Sequence, residues 1–402
     1  MSTGGLSAAR LGRLHDVMAG HVERGAVPGL VTLLSRRGEV HVDAIGTRAF
    51  GGDDPLTRDT IFRISSMSKP ITAAATLILV EECRLRLDEP VDRLLPELAN
   101  RRVLRRLDSP LDDTVFANRP ITVRDLLTFR MGFGQLMAPP DAYPVLQAAH
   151  AAGIGMGPPM PDTMPAPDEW LRRLGALPLM CQPGERWLYN TGADVLGVLV
   201  ARAAGQPFET FLQERIFAPL GMRDTGFSVP AASLDRLPPS YRTSFQTGAI
   251  ELFDPAEGGQ WSRPPAFPSG AAGLVSTVDD YLAFSQMLLD GGRLGTTRIL
   301  SRPSVALMTT DQLTPAQKAV SGLVDGFFDG HGWGFGVAVV TRRDDLASPG
   351  CYGWSGGLGT NWSNDPAEEL VTILMTQSAW TSPSPPAVCL DFTTLAYQAI
   401  DD

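Results

Sequence analysis

The chain has 402 residues, of which 44% are hydrophobic, 7% aromatic and 19% charged, a composition typical of a folded globular protein and not of a disordered one. Its 34 lysines and arginines are outnumbered by 44 aspartates and glutamates, which gives a formal net charge of −10. An acidic chain without a basic segment is poorly suited to nucleic acid or to an anionic membrane surface. We therefore expect neither as a partner, and a small molecule as the ligand.

Cysteines and histidines are few and scattered. No two of the four cysteines have the spacing of metal ligands, and the five histidines form neither an HxxxH nor an HExxH pattern. We therefore expect no metal and no cofactor. The segment Met1–Arg10 lacks the basic and apolar parts of a signal peptide, and the longest apolar run, Ile71–Val80, is about half the length of a membrane span. These features predict a cytoplasmic protein.

Hydrophobic spacing predicts the elements in chain order. An amphipathic helix over residues 8–24 is followed by strands at 30–35 and 40–45, joined by a turn at Arg37-Gly38. The next stretch is mainly helical, with helices predicted at 67–84, 122–130, 167–174, 192–204 and 207–217. Beyond it we predict a helix at 278–289, strands at 335–341, 352–354 and 370–376, and a last helix at 388–399.

Strands thus lie in the early and late parts of the sequence, with helices between them. This arrangement predicts an α/β (α+β) fold in which one sheet is built from both parts and a mostly helical domain is inserted. The predicted sheet domain comprises residues 1–64 and 273–402, and the helical domain comprises residues 65–272.

The segment 132–167 differs from its surroundings because it is crowded with proline, glycine and methionine. So long a loop inside a compact chain is usually functional or disordered, and methionine adapts to irregular apolar shapes. We interpret the segment as a flap over a hydrophobic pocket, with an irregular surface loop as the alternative. Its methionines are Met137, Met156, Met160 and Met164.

The motif Ser66-Met67-Ser68-Lys69 is the strongest candidate for a catalytic centre. Only two of the basic residues are lysines, Lys69 and Lys318, and lysine, unlike arginine, can lose its proton. Pro70 cannot donate a helical hydrogen bond, so a helix through the following apolar run must begin near Ser66 or Met67. Burial of that helix favours a neutral Lys69 amine, positioned at i+3 to activate the Ser66 hydroxyl. The alternative is that Ser66 only caps the helix.

A Ser-x-x-Lys motif at the start of a buried helix resembles the serine β-lactamase and penicillin-binding-protein superfamily. The resemblance is greatest to the class C-like branch that includes family VIII carboxylesterases, and it runs from Val27-Pro28-Gly29 to Met375-Thr376-Gln377. It implies an antiparallel sheet flanked by terminal helices. It also implies that Ser66 is the acylated nucleophile and that Lys69 is its partner.

The same resemblance suggests Tyr189 as a general base, within Pro183-Gly184-Glu185-Arg186-Trp187-Leu188-Tyr189-Asn190. The family motif is Tyr-x-Asn, whereas Asn190 here comes one position early, so its role as a substrate contact is less direct. A basic tyrosine needs a lowered pKa, which a cationic Lys69 would provide. The alternative is a buried structural tyrosine.

The third family motif is normally Lys-Thr-Gly, and the matching place reads Trp354-Ser355-Gly356-Gly357. The resemblance implies that the backbone N–H groups of Ser66 and Gly357 form an oxyanion hole, with Trp354, Ser355 and Gly356 contacting substrate. Loss of the lysine indicates a neutral or apolar substrate. Arg130 and Arg186 flank two of the motifs and are the alternative anion-binding groups.

Residues 353–357 also satisfy Gly-x-Ser-x-Gly, the nucleophile elbow of α/β-hydrolases. That elbow requires a helix directly after Ser355, whereas residues 358–366 favour a hairpin. No histidine follows His331 in the sequence, so the chain order of an α/β-hydrolase triad also fails.

These patterns predict a serine hydrolase that cleaves carboxylic esters through an acyl-enzyme on Ser66. Within enzymes, the alternatives are a β-lactamase or D-amino-acid peptidase, and an acyltransferase to an alcohol. From another class, the alternative is an inactive penicillin-binding-like module that only binds a ligand. The sequence leaves the oligomeric state open.

Overall fold

The computed structural model describes residues 4–155, 157–244 and 246–402. The helices are α1 (Ala8–Glu23), α2 (Ser68–Glu81), α3 (Val123–Leu127), α4 (Pro144–Ala151), α5 (Pro167–Ala176), α6 (Thr191–Ala204), α7 (Phe208–Leu212), α8 (Ala218–Leu220), α9 (Val278–Leu289), α10 (Arg302–Met308), α11 (Pro315–Ala319) and α12 (Ala387–Gln398). A π-helical stretch, Gln213–Phe217, joins α7 to α8.

The strands of the largest sheet are β1 (Gly29–Arg36), β2 (Glu39–Gly46), β11 (His331–Trp333), β12 (Ala338–Val340), β13 (Tyr352–Gly356), β14 (Thr360–Asp365) and β15 (Leu370–Thr376). The short pairs outside it are β3 (Phe62–Arg63) with β8 (Val275–Ser276), β4 (Arg102–Leu104) with β5 (Thr114–Phe116), β6 (Ser240–Thr243) with β7 (Ile250–Asp254), and β9 (Arg293–Leu294) with β10 (Thr297–Arg298).

The largest sheet joins early and late parts of the sequence. Its order is β11-β12-β13-β14-β15-β1-β2, and neighbouring strands are antiparallel. Every residue of β1 is buried, because helices cover both faces of the sheet. Leu30 and Leu34 pack with α1 and α12 on one face, while Val31 and Leu33 join the main core on the other. The predicted α/β fold with an antiparallel sheet and terminal helices is confirmed.

The predicted elements agree with the structure to within a few residues for α1, β1, β2, α5 and α6, and α9 and β15 have the predicted bounds. Helix α2 begins at Ser68, after a 3₁₀ turn at Ser65–Met67, close to the start that Pro70 predicts. Helix α4 was not predicted. The domain bounds stay a prediction. The chain passes between the two predicted domains near residues 64 and 273, and the pairing of β3 with β8 places these two points side by side.

The helical region positions the site through α2 and α6, which pack against each other. Residues 68–79 of α2 are buried throughout, as their apolar sequence predicts. Within the described ranges, none of the helices combines the length and the apolar character that crossing a membrane requires.

Candidate active site

The Ser66 side chain lies at the junction of the helical region and the sheet. Ser65 adopts a left-handed backbone conformation with φ 46°, which is uncommon for a residue with a side chain and is often found at functional sites. Ser68 Oγ donates to the Ser65 carbonyl at 2.7 Å and accepts from Leu274 N–H at 3.1 Å. These bonds fix the turn that carries Ser66.

Lys69 lies directly beside Ser66, as the i+3 spacing predicts. Its side chain is fully buried, and Nζ donates to Ser66 Oγ at 2.9 Å and to the Ala271 carbonyl at 2.8 Å. Nζ also lies 4.4 Å from the centroid of the Tyr189 ring. Desolvation by burial lowers the pKa of Lys69 to about 7, while the negative charge of Asp194 opposes that shift. Burial therefore makes the neutral amine, which can accept a proton, more accessible than in an ordinary lysine.

Tyr189 lies in an aromatic cluster. Its ring contacts those of Phe129, Trp187, Trp333 and Trp354 at centroid distances of 5.5–6.3 Å. The hydroxyl accepts a hydrogen bond from Trp354 Nε1 at 2.6 Å. The ring is therefore held on several sides.

The pKa of Tyr189 differs from the sequence-based expectation. Burial raises it well above the ordinary value, and hydrogen bonding with Ser66 and Trp354 only partly opposes the rise. The expectation that a nearby cation lowers this pKa is wrong, because desolvation is the largest cause. Of the two neighbours of Ser66, Lys69 is therefore the better proton acceptor, and Tyr189 is suited to carry a proton as a neutral hydroxyl.

The strand β13 docks against the residues that precede Ser66. A Cβ atom added at Gly356 would lie 2.2 Å from the Ile64 carbonyl oxygen, so only glycine allows this approach. Thr360 Oγ1 donates to the same carbonyl at 3.2 Å. The next residue, Gly357, lines the same cavity as Ser66, and its carbonyl accepts from Trp380 N–H at 2.9 Å.

Ser355 is located on a strand and not on a nucleophile elbow. It lies within β13, and the chain continues into β14, with Ser355 paired to Asn361 across the hairpin. Ser355 Oγ accepts from Asn361 Nδ2 at 2.7 Å. The strand-to-helix turn that an α/β-hydrolase nucleophile requires is not formed at this position.

Ser66 opens into a cavity of about 1150 Å³, which we call the main cavity. Of the predicted substrate contacts, Trp354, Ser355 and Asn190 line it, whereas Gly356 is placed against the Ile64 backbone. Arg130 and Arg186 are not among its lining residues. Arg130 Nε donates to Thr128 and Arg186 Nε to the Val320 carbonyl, so neither arginine serves the site.

A second space of about 770 Å³, the flap cavity, adjoins the main cavity. Much of segment 132–167 lines it, including Met137, Met160 and Met164. Met156 lies outside the described residues. The segment carries helix α4 and forms one wall of the cavity, and its role as a flap stays a prediction.

Asn190 lies where the two cavities meet and lines both. Its backbone has φ 82° and ψ −66°, a strained conformation for a residue other than glycine. Its carbonyl accepts from Ala193 N–H at 3.0 Å, while its side-chain amide makes no hydrogen bond to the described residues. The amide is therefore free to bind a polar group in either cavity.

Sequence reasoning missed Asp194, in the first turn of α6. This carboxyl group is buried, and Oδ1 accepts from Ser269 Oγ at 2.6 Å and from Ala271 N–H at 3.1 Å. Burial raises its pKa, and its hydrogen bonds and Lys69 oppose the rise. The only signal in the sequence was an acidic residue in an otherwise apolar helix. Across the described ranges, no group of three or more His, Cys, Asp or Glu side chains is arranged to hold a metal ion.

Comparisons with known proteins identify the family and the fold of the chain. A family model described as Beta-lactamase matches residues 14–387. Protein Rv1367c of Mycobacterium tuberculosis is 39% identical over 88% of this chain and 87% of its own length. Esterase EstB of Burkholderia gladioli is 32% identical over 95% of this chain and 94% of its own. The solved structure of EstCE1, a hydrolase with promiscuous acyltransferase activity, superposes with a TM-score of 0.78 at 26% identity, covering 98% of each chain.

The chain belongs to the beta-lactamase family, within the serine β-lactamase and penicillin-binding-protein superfamily and close to its esterases. It is an enzyme of the serine hydrolase type, in agreement with the function that the Ser66-x-x-Lys69 motif predicts.

Proposed function

We propose that the protein hydrolyses neutral carboxylic esters through an acyl-enzyme on Ser66. The observation that carries the proposal is the 2.9 Å hydrogen bond between Lys69 Nζ and Ser66 Oγ, in a site where burial lowers the pKa of Lys69 to about 7. A neutral amine at that distance is a base in contact with its nucleophile.

In the acylation step, Ser66 Oγ bonds to the ester carbonyl carbon while its proton moves to Lys69 Nζ. The carbonyl electrons become an oxyanion, which the backbone N–H groups of Ser66 and Gly357 stabilise. When the oxyanion collapses, the bond to the alcohol oxygen breaks. The departing oxygen receives the proton from Lys69, by way of the Tyr189 hydroxyl, and leaves as the alcohol.

Deacylation repeats these steps with water as the nucleophile. Water gives its proton to Lys69, its oxygen bonds to the acyl carbon, and collapse of the second oxyanion returns Ser66 Oγ. The Ser66 hydroxyl regains its proton, and the carboxylic acid leaves. No cofactor takes part in the proposed cycle.

The charges around the main cavity support a neutral substrate. The indole of Trp354 occupies the place where the family motif has a lysine. Arg242, also in the cavity lining, is an exposed side chain that lies 3.5 Å from Glu251, so its charge is already balanced at the rim. An anionic substrate would lose water around its carboxylate without gaining a charge-assisted hydrogen bond near Ser66.

The test is to trap the acyl-enzyme. The protein is treated with a fluorophosphonate and with p-nitrophenyl butyrate, and the adduct is mapped by intact-protein and peptide mass spectrometry. We expect the adduct on Ser66, its loss in Ser66→Ala and its retention in Ser355→Ala. An adduct on Ser355 would overturn the assignment, and a protein that accepts neither reagent would favour a ligand-binding module.

Acyl transfer is the second candidate function, because the largely apolar flap cavity offers room for an alcohol acceptor beside the acyl-enzyme. The two functions differ only in deacylation, in which the nucleophile is water for hydrolysis and an alcohol for acyl transfer. Product analysis with a series of alcohols separates them, since a transferase gives more new ester than acid even when water is in large excess.

A further inference from the structure

Lys69 is held by a peptide unit that is itself held by a buried carboxylate. Lys69 Nζ donates to the Ala271 carbonyl at 2.8 Å, and the N–H of the same residue donates to Asp194 Oδ1 at 3.1 Å. Ser269 Oγ donates to the same oxygen at 2.6 Å and accepts from Ala272 N–H at 3.1 Å. The loop that fixes the Lys69 ammonium is therefore organised around one side chain of α6.

Holding a loop with a buried carboxylate costs desolvation free energy. Asp194 is only 4% exposed, and a neutral asparagine could accept the same two hydrogen bonds without the cost of desolvating a charge. Its Oδ2 atom makes no hydrogen bond to the described residues. Asparagine could therefore replace the hydrogen bonds of Asp194, and the negative charge is the property that only an acidic residue supplies.

We propose that Asp194 is a positioning residue for Lys69, which orients the amine through the Ala271 peptide and stabilises the ammonium that forms when Lys69 takes the Ser66 proton. The inference rests on the proposed role of Lys69 as the base. Burial favours the neutral form of both groups, and each opposes that shift in the other, so the two titrate as a pair.

The groups that face Lys69 come from four segments of the chain. Ser66 is on the turn before α2, the Tyr189 ring precedes α6, and Asp194 belongs to α6 itself. The loop 269–273 contributes a backbone carbonyl. Among the groups described, Asp194 carries the charge that raises the Lys69 pKa. Removing that charge should therefore lower the Lys69 pKa.

The experiment measures the rate of Ser66 labelling by a fluorophosphonate as a function of pH in Asp194→Asn and in Ser269→Ala. Labelling needs the Ser66 proton to move to Lys69 as fluoride leaves, and it does not need ester turnover. In D194N we expect the acid limb of the curve of labelling rate against pH to move to lower pH by on the order of one unit. The reason is that an ammonium without its counter-charge loses its proton more readily. The plateau should fall by about tenfold, since the weaker base receives less stabilisation.

Ser269→Ala is the matched control, because it removes a hydrogen bond from the same carboxylate oxygen and leaves the charge. We expect a slower plateau and a much smaller shift of the acid limb than in D194N, because losing this bond raises the pKa of the Asp194 carboxyl but leaves a group that can still carry the charge. An unmoved limb in D194N, or an equal shift in both variants, would overturn the proposal. If D194N does not fold, Asp194→Ser, which leaves room for a water, gives the same test. Labelling with the expected shift but without ester hydrolysis would refute the proposed function and keep this inference.

Discussion

Trp354 Nε1 donates to the Tyr189 hydroxyl oxygen at 2.6 Å. The indole, at the position that we match to the family lysine, therefore contacts the proposed proton-transfer group as well as the main cavity. Because the Tyr189 oxygen accepts this bond, its own proton is free to point toward Ser66. In the proposed mechanism, Trp354 would therefore act on both substrate preference and proton transfer.

Replacing Trp354 with phenylalanine should separate these two contributions. The Phe ring keeps an apolar wall but removes the N–H that orients Tyr189. We expect kcat for p-nitrophenyl butyrate to fall by about tenfold, the cost of one buried hydrogen bond, with KM nearly unchanged. Steady-state kinetics provide the measurement. A raised KM at constant kcat would mean that Trp354 acts on substrate alone.

The pH profile should report the state of Lys69. Its pKa of about 7 lies below the ordinary lysine value, so the neutral amine increases as the pH rises through 7. We therefore expect kcat/KM to rise with pH and to level off above about one unit beyond that pKa. Lys69→Arg keeps the cation and loses the accessible neutral form, so its activity should resemble that of Lys69→Ala at every pH. An active arginine variant would contradict the base role.

Neutral esters should react faster than anionic family substrates. A missing charge-assisted contact to a carboxylate forgoes roughly 1.5–3 kcal/mol, and desolvation beside the Trp354 indole adds to that cost. We expect kcat/KM for p-nitrophenyl butyrate to exceed that for a cephalosporin and for a D-alanyl-D-alanine peptide. Faster turnover of the lactam or the peptide would overturn the substrate class while leaving the Ser66 mechanism intact.

The flap cavity should set the accepted chain length. Ala138 lines it, so Ala138→Phe should fill part of the space and lower kcat/KM for long-chain esters by about tenfold or more while sparing short ones. Ala151→Phe, at an exposed position of α4 outside the cavity lining, is the matched control and should leave the chain-length profile unchanged. Two series, one varying the acyl chain and one the alcohol, show which half of the ester enters. Equal effects of both variants would disprove the assignment.

Gly356 and Gly357 offer a paired test of how β13 is docked. A Cβ at Gly356 would overlap the Ile64 carbonyl, whereas a Cβ at Gly357 would meet nothing within 4 Å. We expect Gly356→Ala to lower the free energy of unfolding by about 1–3 kcal/mol and Gly357→Ala to change it by less than about 0.5 kcal/mol. Urea unfolding measures both, and similar values would argue against the close approach.

The parts of the fold that sequence predicts well are those set by local rules. Pro70 limits where α2 can begin, and the apolar run after it predicts the burial that the structure shows. The pairing of β1 with β2 follows from two short strand-forming segments separated by the Arg37-Gly38 turn. Helix α4 escaped prediction because it is short and lies between proline- and glycine-rich stretches, which dominate the local signal.

The arrangement of the site depended on contacts between distant residues. The raised pKa of Tyr189 was not predicted, because most of the rings packed on it, those of Phe129, Trp333 and Trp354, come from distant parts of the chain. The role of Asp194 likewise depends on a loop that begins at Ser269. Such relationships are set by tertiary packing, and a local pattern does not contain them.

The strand order has a consequence for how the protein is made. β1 is the second strand from one edge of the sheet. It pairs with β15, and Leu30 lies opposite Thr376, so β1 has to wait for a partner that the ribosome produces late. Until then, one edge of β1 remains unpaired. Folding should therefore be slow and dominated by distant contacts, and the nascent chain is a natural client for chaperones.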